Sequence, residues 1–326
     1  MAPWAVARRA NAPAAPVVWR EGVYLTGTPI WCDARRRRDV CFASAADRIA
    51  AVGHGQLIAT PTTLALAGAE ASGGHLGVPL QRPFTLGAVR LELIASGRTW
   101  GAASLHVDVR GRTVLYAGPI RASDPPAGER AADVRACDAL VVAAPAFEEL
   151  EPRAAVAARL FDWVRARRTA GETPVLVVDA PLEGVELAQE LARASVVPAG
   201  ELAVTRAIAR AHELLPQDVR DAAGLAEPNA TLRGAAVIVR LERDRLPSLA
   251  SAPAALVSPR AEHPYQDAFA WPFTAGRGEL LAWIEQTRAR DIYVTGAAAE
   301  AVAVALGPRA QRLGPPQQMS LFEAAR

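Results

Sequence analysis

The stretch Gly97-Arg98-Thr99-Trp100-Gly101-Ala102-Ala103-Ser104-Leu105-His106-Val107-Asp108-Val109-Arg110-Gly111-Arg112-Thr113-Val114-Leu115-Tyr116-Ala117-Gly118 carries the reading of the fold. Ser104 to Val109 alternates apolar and polar residues, turns at Arg110-Gly111-Arg112, and returns from Thr113 to Gly118. Alternation on both sides of a glycine turn predicts a β-hairpin. Ahead of it, Gly97 and Gly101 frame a loop closed by Ala102-Ala103. Behind it, Ala139-Leu140-Val141-Val142-Ala143 is uninterruptedly apolar, the pattern of a strand covered on both faces.

Upstream of this stretch the sequence predicts short strands at 22–25, 29–32, 40–42 and 56–60, a helix at 61–66 and a strand at 84–96. Arg35, Arg36, Arg37 and Arg38 form a basic loop between the second and third of these. Downstream the period changes. Helices are expected at 151–168, 181–194, 202–215, 279–288 and 298–306. Strands are expected at 173–179, 196–198, 235–241, 254–258 and 291–296. Strand–helix alternation of this kind predicts a parallel α/β layer.

Composition narrows the class. Of 326 residues, 51% are apolar and 21% charged, enough to bury a core and incompatible with wholesale disorder. Gly and Pro recur without a period, and no run approaches the roughly 20 apolar residues of a membrane span. The 36 basic residues are all arginine and face 34 acids, so no global field steers the chain onto nucleic acid. Three cysteines without a CxxC pair argue against a disulfide framework or a thiolate zinc site and suit a reducing cytoplasm. Residues 1–16 hold Arg8 and Arg9 but no apolar core, so they read as a loose leader rather than a signal peptide.

Several short frames sit just after predicted strands. They are Cys41-Phe42-Ala43-Ser44-Ala45-Ala46-Asp47-Arg48, Gly97 to Ala103, Ala117-Gly118-Pro119, Ala143-Ala144-Pro145-Ala146-Phe147, Trp271-Pro272-Phe273-Thr274-Ala275 and Val294-Thr295-Gly296-Ala297. In this order they resemble the metallo-β-lactamase fold with a β-CASP insertion. The nearest group is the ligase-associated DNA exonucleases, also described as RNA 3′-end processing factor-like proteins. The resemblance covers about residues 17–313 and implies an α/β chain. Its core would be an αββα sandwich over 17–150 and 256–313, with a β-CASP-like α/β insertion at 151–255. Residues 1–16 and 314–326 would be a leader and a tail.

Active members of that family hold two zinc ions for two-metal hydrolysis of phosphodiesters. At the family's ligand positions this sequence has Ala43, Ala45, Asp47, Arg48, Arg98, Pro119, Ala144 and Gly296. Of these only Asp47 retains a ligating side chain. The resemblance therefore implies a degenerate member, with no catalytic residues, no metal and no cofactor. Asp47 on its own reads as a helix N-cap. Arg48 and Arg98 would face the former metal cavity, holding a phosphate in place of the metals or pairing with Asp47 and other acids. Arg35 to Arg38 would be a solvated loop or a further phosphate contact. His54, His75, His106, His212 and His263 are scattered and read as surface or satisfied residues.

Near the C-terminus, Gln318-Met319-Ser320-Leu321-Phe322 follows Pro315-Pro316. It resembles the bacterial sliding-clamp-binding pentapeptide, in which two large apolar side chains enter a preformed pocket. The expected function is thus that of a catalytically inactive, nuclease-like accessory protein of DNA repair or replication. It would be recruited to the sliding clamp, with DNA and a ligase, helicase or polymerase as further partners and with no membrane association. The alternatives are an active metal-dependent nuclease with an atypical site and an inactive partner subunit of a catalytic β-CASP homologue. The expected location is cytoplasmic and nucleoid-associated.

Overall fold

The computed structural model describes residues 15–50, 52–69, 74–198, 200–222, 237–244, 250–260 and 263–315. Among them the chain is mixed α/β, with three sheets. The first contains β1 (Val17–Trp19), β2 (Val23–Leu25), β3 (Ile30–Cys32), β4 (Val40–Phe42), β5 (Gln56–Ala59) and β6 (Leu76–Gly77), in that order. β1 to β3 are antiparallel and β3 to β6 parallel. Helix α1 (Pro61–Leu66) follows β5, with the Thr60 hydroxyl accepting from the Thr63 amide as its N-cap.

The second sheet begins as an antiparallel meander of β7 (Phe84–Leu86), β8 (Val89–Ala95), β9 (Ala103–Val109) and β10 (Arg112–Ala117). The predicted 84–96 strand is in fact a hairpin, because Gly87 takes a φ of 61° and turns the chain. β11 (Ala139–Ala143) adds in parallel to β10. The chain then leaves this sheet. It forms α2 (Arg153–Thr169), β12 (Val175–Val178), α3 (Pro181–Arg193), β13 (Leu202–Val204), α4 (Arg206–Glu213), α5 (Gln217–Ala222), β14 (Val237–Leu241), β15 (Ala254–Val257) and β16 (Asp267–Phe269). These strands make a separate, all-parallel sheet of order β13-β14-β12-β15-β16. After α6 (Arg277–Gln286) the chain rejoins the second sheet as β17 (Asp291–Thr295), beside β11, and after α7 (Ala299–Leu306) as β18 (Ala310–Arg312).

Side-chain alternation explains the layering. On β10 and β11, Val114, Tyr116, Ala139 and Val141 face the first sheet and share one core with Val17, Leu25, Ile30, Phe42 and Ile58. The intervening Leu115, Ala117, Leu140 and Val142 pack under Leu280, Trp283 and Ile284 of α6 and Ala299 and Val302 of α7. On the outer face of the first sheet, Cys41, Ala43, Leu57 and Ala59 meet Leu64 of α1. The order is helix, sheet, sheet, helix. Both faces of β11 are dry, which is why its sequence shows no alternation. The inserted sheet buries Leu176, Val178 and Val239 under Val156, Leu160, Val185, Leu187 and Ile208 of its helices.

Three sequence expectations need correction. Residues 202–215 are not one helix: Leu202 to Val204 pair with Val237 to Val239, and extended Thr205 separates that strand from α4. Residues 196–198 are not a strand. Ser195 takes a φ of 51° after α3, and the Val196 amide bonds the Leu191 carbonyl, so this segment closes the helix. The return to the second sheet does not begin at 256, because β15 and β16 belong to the inserted sheet. No helix among the described residues is long and apolar enough to cross a membrane.

Candidate functional site

Five of the six frames singled out in the sequence follow the C-terminal ends of β4, β8, β10, β11 and β17. The sixth, Trp271 to Ala275, follows β16 of the inserted sheet and reaches the core through the Ala275 amide, which bonds the Ile120 carbonyl at 2.7 Å. Strand pairing draws them together. The Ala103 amide bonds the Ser44 carbonyl at 2.8 Å, and the Ala144 amide bonds the Thr295 carbonyl at 2.8 Å. A Cβ on Gly118 would lie 2.5 Å from Ser44 Oγ, and one on Gly296 would lie 2.5 Å from the Ala144 carbonyl. Ala43, Ala45, Ala144 and Pro119 are buried.

Two carboxylates organise this region. Asp33, just past β3, accepts from the Ser44 amide at 2.8 Å, Ser44 Oγ at 2.6 Å, Tyr116 Oη at 2.9 Å and Arg48 Nε at 3.4 Å. Burial and the Asp33 charge push the Tyr116 phenol well above its ordinary range, so it stays a donor. Asp47 lies inside a single 3₁₀ turn (Ala46–Arg48), and no side chain caps that turn. The expected N-cap role is therefore replaced by an ion pair. Arg98 Nη1 and Nη2 donate to the two Asp47 oxygens at 2.6 and 2.7 Å. Burial opposes ionisation of Asp47, but the Arg98 guanidinium more than compensates and holds the carboxyl below its usual range.

Of the two roles weighed for Arg48 and Arg98, the geometry displays pairing with acids: Arg98 with Asp47, Arg48 with Asp33. Arg35 to Arg38 lie elsewhere. Arg38 precedes the N-terminal end of β4, stacks 3.8 Å over Trp31 and donates to the Arg20 carbonyl, whereas Arg48 lies beyond the C-terminal end of that strand. The arginine run and the Arg48–Arg98 region are therefore not one phosphate cradle. His54 and His75 accept from the backbone amides of Arg38 and Leu57. His106 is half-buried beside Glu92 and Arg135, and burial lowers its pKa. Among the described residues no three His, Cys, Asp or Glu side chains come together to hold a metal ion. All three cysteines are buried thiols; burial pushes Cys41 and Cys137 to about 12, so neither is a ready nucleophile. Gln318 to Phe322 lie outside the described residues.

The inserted domain covers this end of the core and leaves a cleft of about 200 Å³ above the Arg98–Asp47 pair. Glu183, in the first turn of α3, comes within 3.9 Å of Arg98 Nη2 and caps its own helix by accepting from the Ala180 amide. Burial, with the nearby Asp179 and Asp47 charges and against the pull of Arg98, pushes the Glu183 carboxyl up to about 7. Deeper, a buried bolt joins the domains. Arg121 of the core binds Glu186 of α3 at 3.0 Å, and Arg153 of α2 reaches the same carboxylate at 3.1 Å. Trp271 Nε1 donates to it at 3.4 Å.

Asp33, Glu183 and Glu186 were missed by sequence reading. Asp33 sits in a loop, Glu183 and Glu186 are two of the three acids on α3, and only the chain crossings make them hubs. No protein-family model matches this chain, and no curated protein matches it either. Chemically, each carboxylate at the core end is already satisfied by a guanidinium, a hydroxyl or its own helix, an arrangement suited to holding shape and charge.

Proposed function

We propose that this chain is a non-hydrolytic protein built on the metallo-β-lactamase/β-CASP plan. In this reading it is an accessory factor of DNA repair or replication that docks on the sliding clamp through Gln318, Met319, Ser320, Leu321 and Phe322. One observation carries the non-hydrolytic part. The positions where the resembled family places metal ligands converge at one end of the core, and there they hold an Arg98–Asp47 ion pair and buried alanines. A guanidinium at that spot repels a divalent cation, and a methyl group offers it no lone pair. The four-layer order of the core and the separate parallel sheet inserted after β11 support the same plan. The docking part rests on the pentapeptide and its Pro315-Pro316 spacer.

The test uses the purified full chain and a bacterial sliding clamp, beside a chain ending at Pro316. Full-length protein should bind with micromolar affinity, and the shortened chain should not. Equal binding by the two forms, or none by either, removes the docking reading. Metal analysis and a labelled-DNA degradation assay with manganese and zinc address the other half. Two equivalents of tightly held metal with metal-dependent cleavage would replace it with the active-nuclease alternative.

A further inference from the structure

The cleft above the Arg98–Asp47 pair has one charge left over. Most of its wall is apolar, formed by Leu66, Leu182, Ala207, Leu214 and Phe273. Its ionisable groups can be accounted for in turn. Asp47 and Arg98 neutralise each other through two hydrogen bonds. Glu186 is engaged by Arg121 and Arg153. Glu183 is held up to about 7, so at neutral pH it carries only part of a negative charge. Arg210 of α4 remains: it lines the cleft, is exposed, and makes no hydrogen bond or ion pair among the described residues.

An apolar cavity with one unengaged guanidinium at its mouth is complementary to an apolar body bearing one carboxylate. We propose that this cleft binds a small monocarboxylic acid with an aromatic or branched apolar body. The carboxylate lies on Arg210 and the body lies against Leu66, Leu182, Leu214 and Phe273. Size agrees: an apolar cavity of about 150 Å³ takes benzene, so about 200 Å³ with an open mouth takes one ring and a short acidic arm. A cationic ligand is disfavoured, because Asp47 is paired with Arg98 and Glu183, 3.9 Å from the same guanidinium, carries only part of its charge at neutral pH. The assignment goes beyond clamp docking and does not depend on it.

Calorimetric titration of the full chain with 4-phenylbutanoate, indole-3-acetate and 2-methylhexanoate tests the site, with the corresponding amides as neutral controls. At pH 6.5 and low salt, at least one acid should bind with a Kd below about 1 mM, and its amide about tenfold more weakly. Arg210→Ala should abolish the preference for acid over amide. Arg206→Ala, on the same helix but outside the cleft lining, should keep it. Ala211→Trp should fill the cavity and block both ligands. Raising the pH to 8 should weaken binding of the acid severalfold, because Glu183 then carries its full charge. Glu183 is faced by Arg98 and Asp47 of the core and Asp179 at the end of β12, and Arg210 lines the same cleft. In Glu183→Gln that pH dependence should vanish. Failure of all three acids to bind at about 5 mM overturns the proposal. So does equal binding of acid and amide, or a preference that survives Arg210→Ala.

Discussion

At the scale of single residues, the core end of the molecule is governed by where charge is neutralised. Arg98 is only 12% exposed and Asp47 30%. Removing the guanidinium in Arg98→Met leaves Asp47 partly buried without its partner and should cost about 2 kcal/mol, less than a fully buried pair because water reaches one side. Urea unfolding checks this; the double variant Arg98→Met/Asp47→Asn should recover part of the loss. Glu183 gives the molecule a pH signature. Its carboxyl titrates near 7 in the folded chain and near 4.5 in an unfolded one, so between those values the native state binds more protons. The contribution to stability is complete below the unfolded value and is lost as pH rises through 7, amounting to at most about 3 kcal/mol. Unfolding free energies at pH 5 and pH 8 should therefore converge in Glu183→Gln relative to the parent chain.

At the scale of elements, glycines set how closely the strand-end loops approach. Gly296 has a φ of 98°, and a Cβ there would meet the Ala144 carbonyl at 2.5 Å. The loop after β17 therefore has no room for a side chain without moving the backbone after β11. Gly296→His would return the residue of the resembled frame, yet it should lower the melting temperature by several degrees and raise no zinc affinity. Calorimetry and metal titration on the same sample check both outcomes. The element-level reading from sequence was strongest where alternation or burial was clean. β9, β10 and β11 stand where the hairpin and the apolar run put them. It failed at residues 202–215, where the strand is only Leu202 to Val204 and draws its stability from pairing with a segment more than thirty residues away. A local window contains no trace of that partner.

Across the whole molecule, the buried bolt of Arg121, Glu186 and Arg153 joins the inserted domain to the core. Arg121 and Glu186 are 1% and 4% exposed. Glu186→Ala strands the buried Arg121 guanidinium, while Arg153 keeps Glu190 at 3.0 Å, and should destabilise the fold by about 3 kcal/mol. Replacing the set with Arg121→Met, Glu186→Leu and Arg153→Met should cost less than the single change, since no unpaired charge is left buried. Denaturant midpoints for the two variants decide it; a triple variant weaker than Glu186→Ala would mean that the bolt adds net stability through its hydrogen bonds.

Much of this architecture is written locally. Strand alternation, apolar runs, glycine turns and the change of period near residue 151 determine that the chain is α/β with a parallel layer in its second half, because those signals depend on neighbours a few residues apart. The same local reading shows alanines and arginines at Ala43, Ala45, Arg48 and Arg98, and so the absence of zinc-ligating side chains at those positions. Tertiary structure alone decided their pairing. Arg98 reaches Asp47 across 51 residues and Tyr116 reaches Asp33 across 83. Arg121 finds Glu186 across 65. Ion pairs and hydrogen bonds of this kind have no sequence period: they form wherever packing brings two groups within about 3 Å in a place too dry to leave either alone.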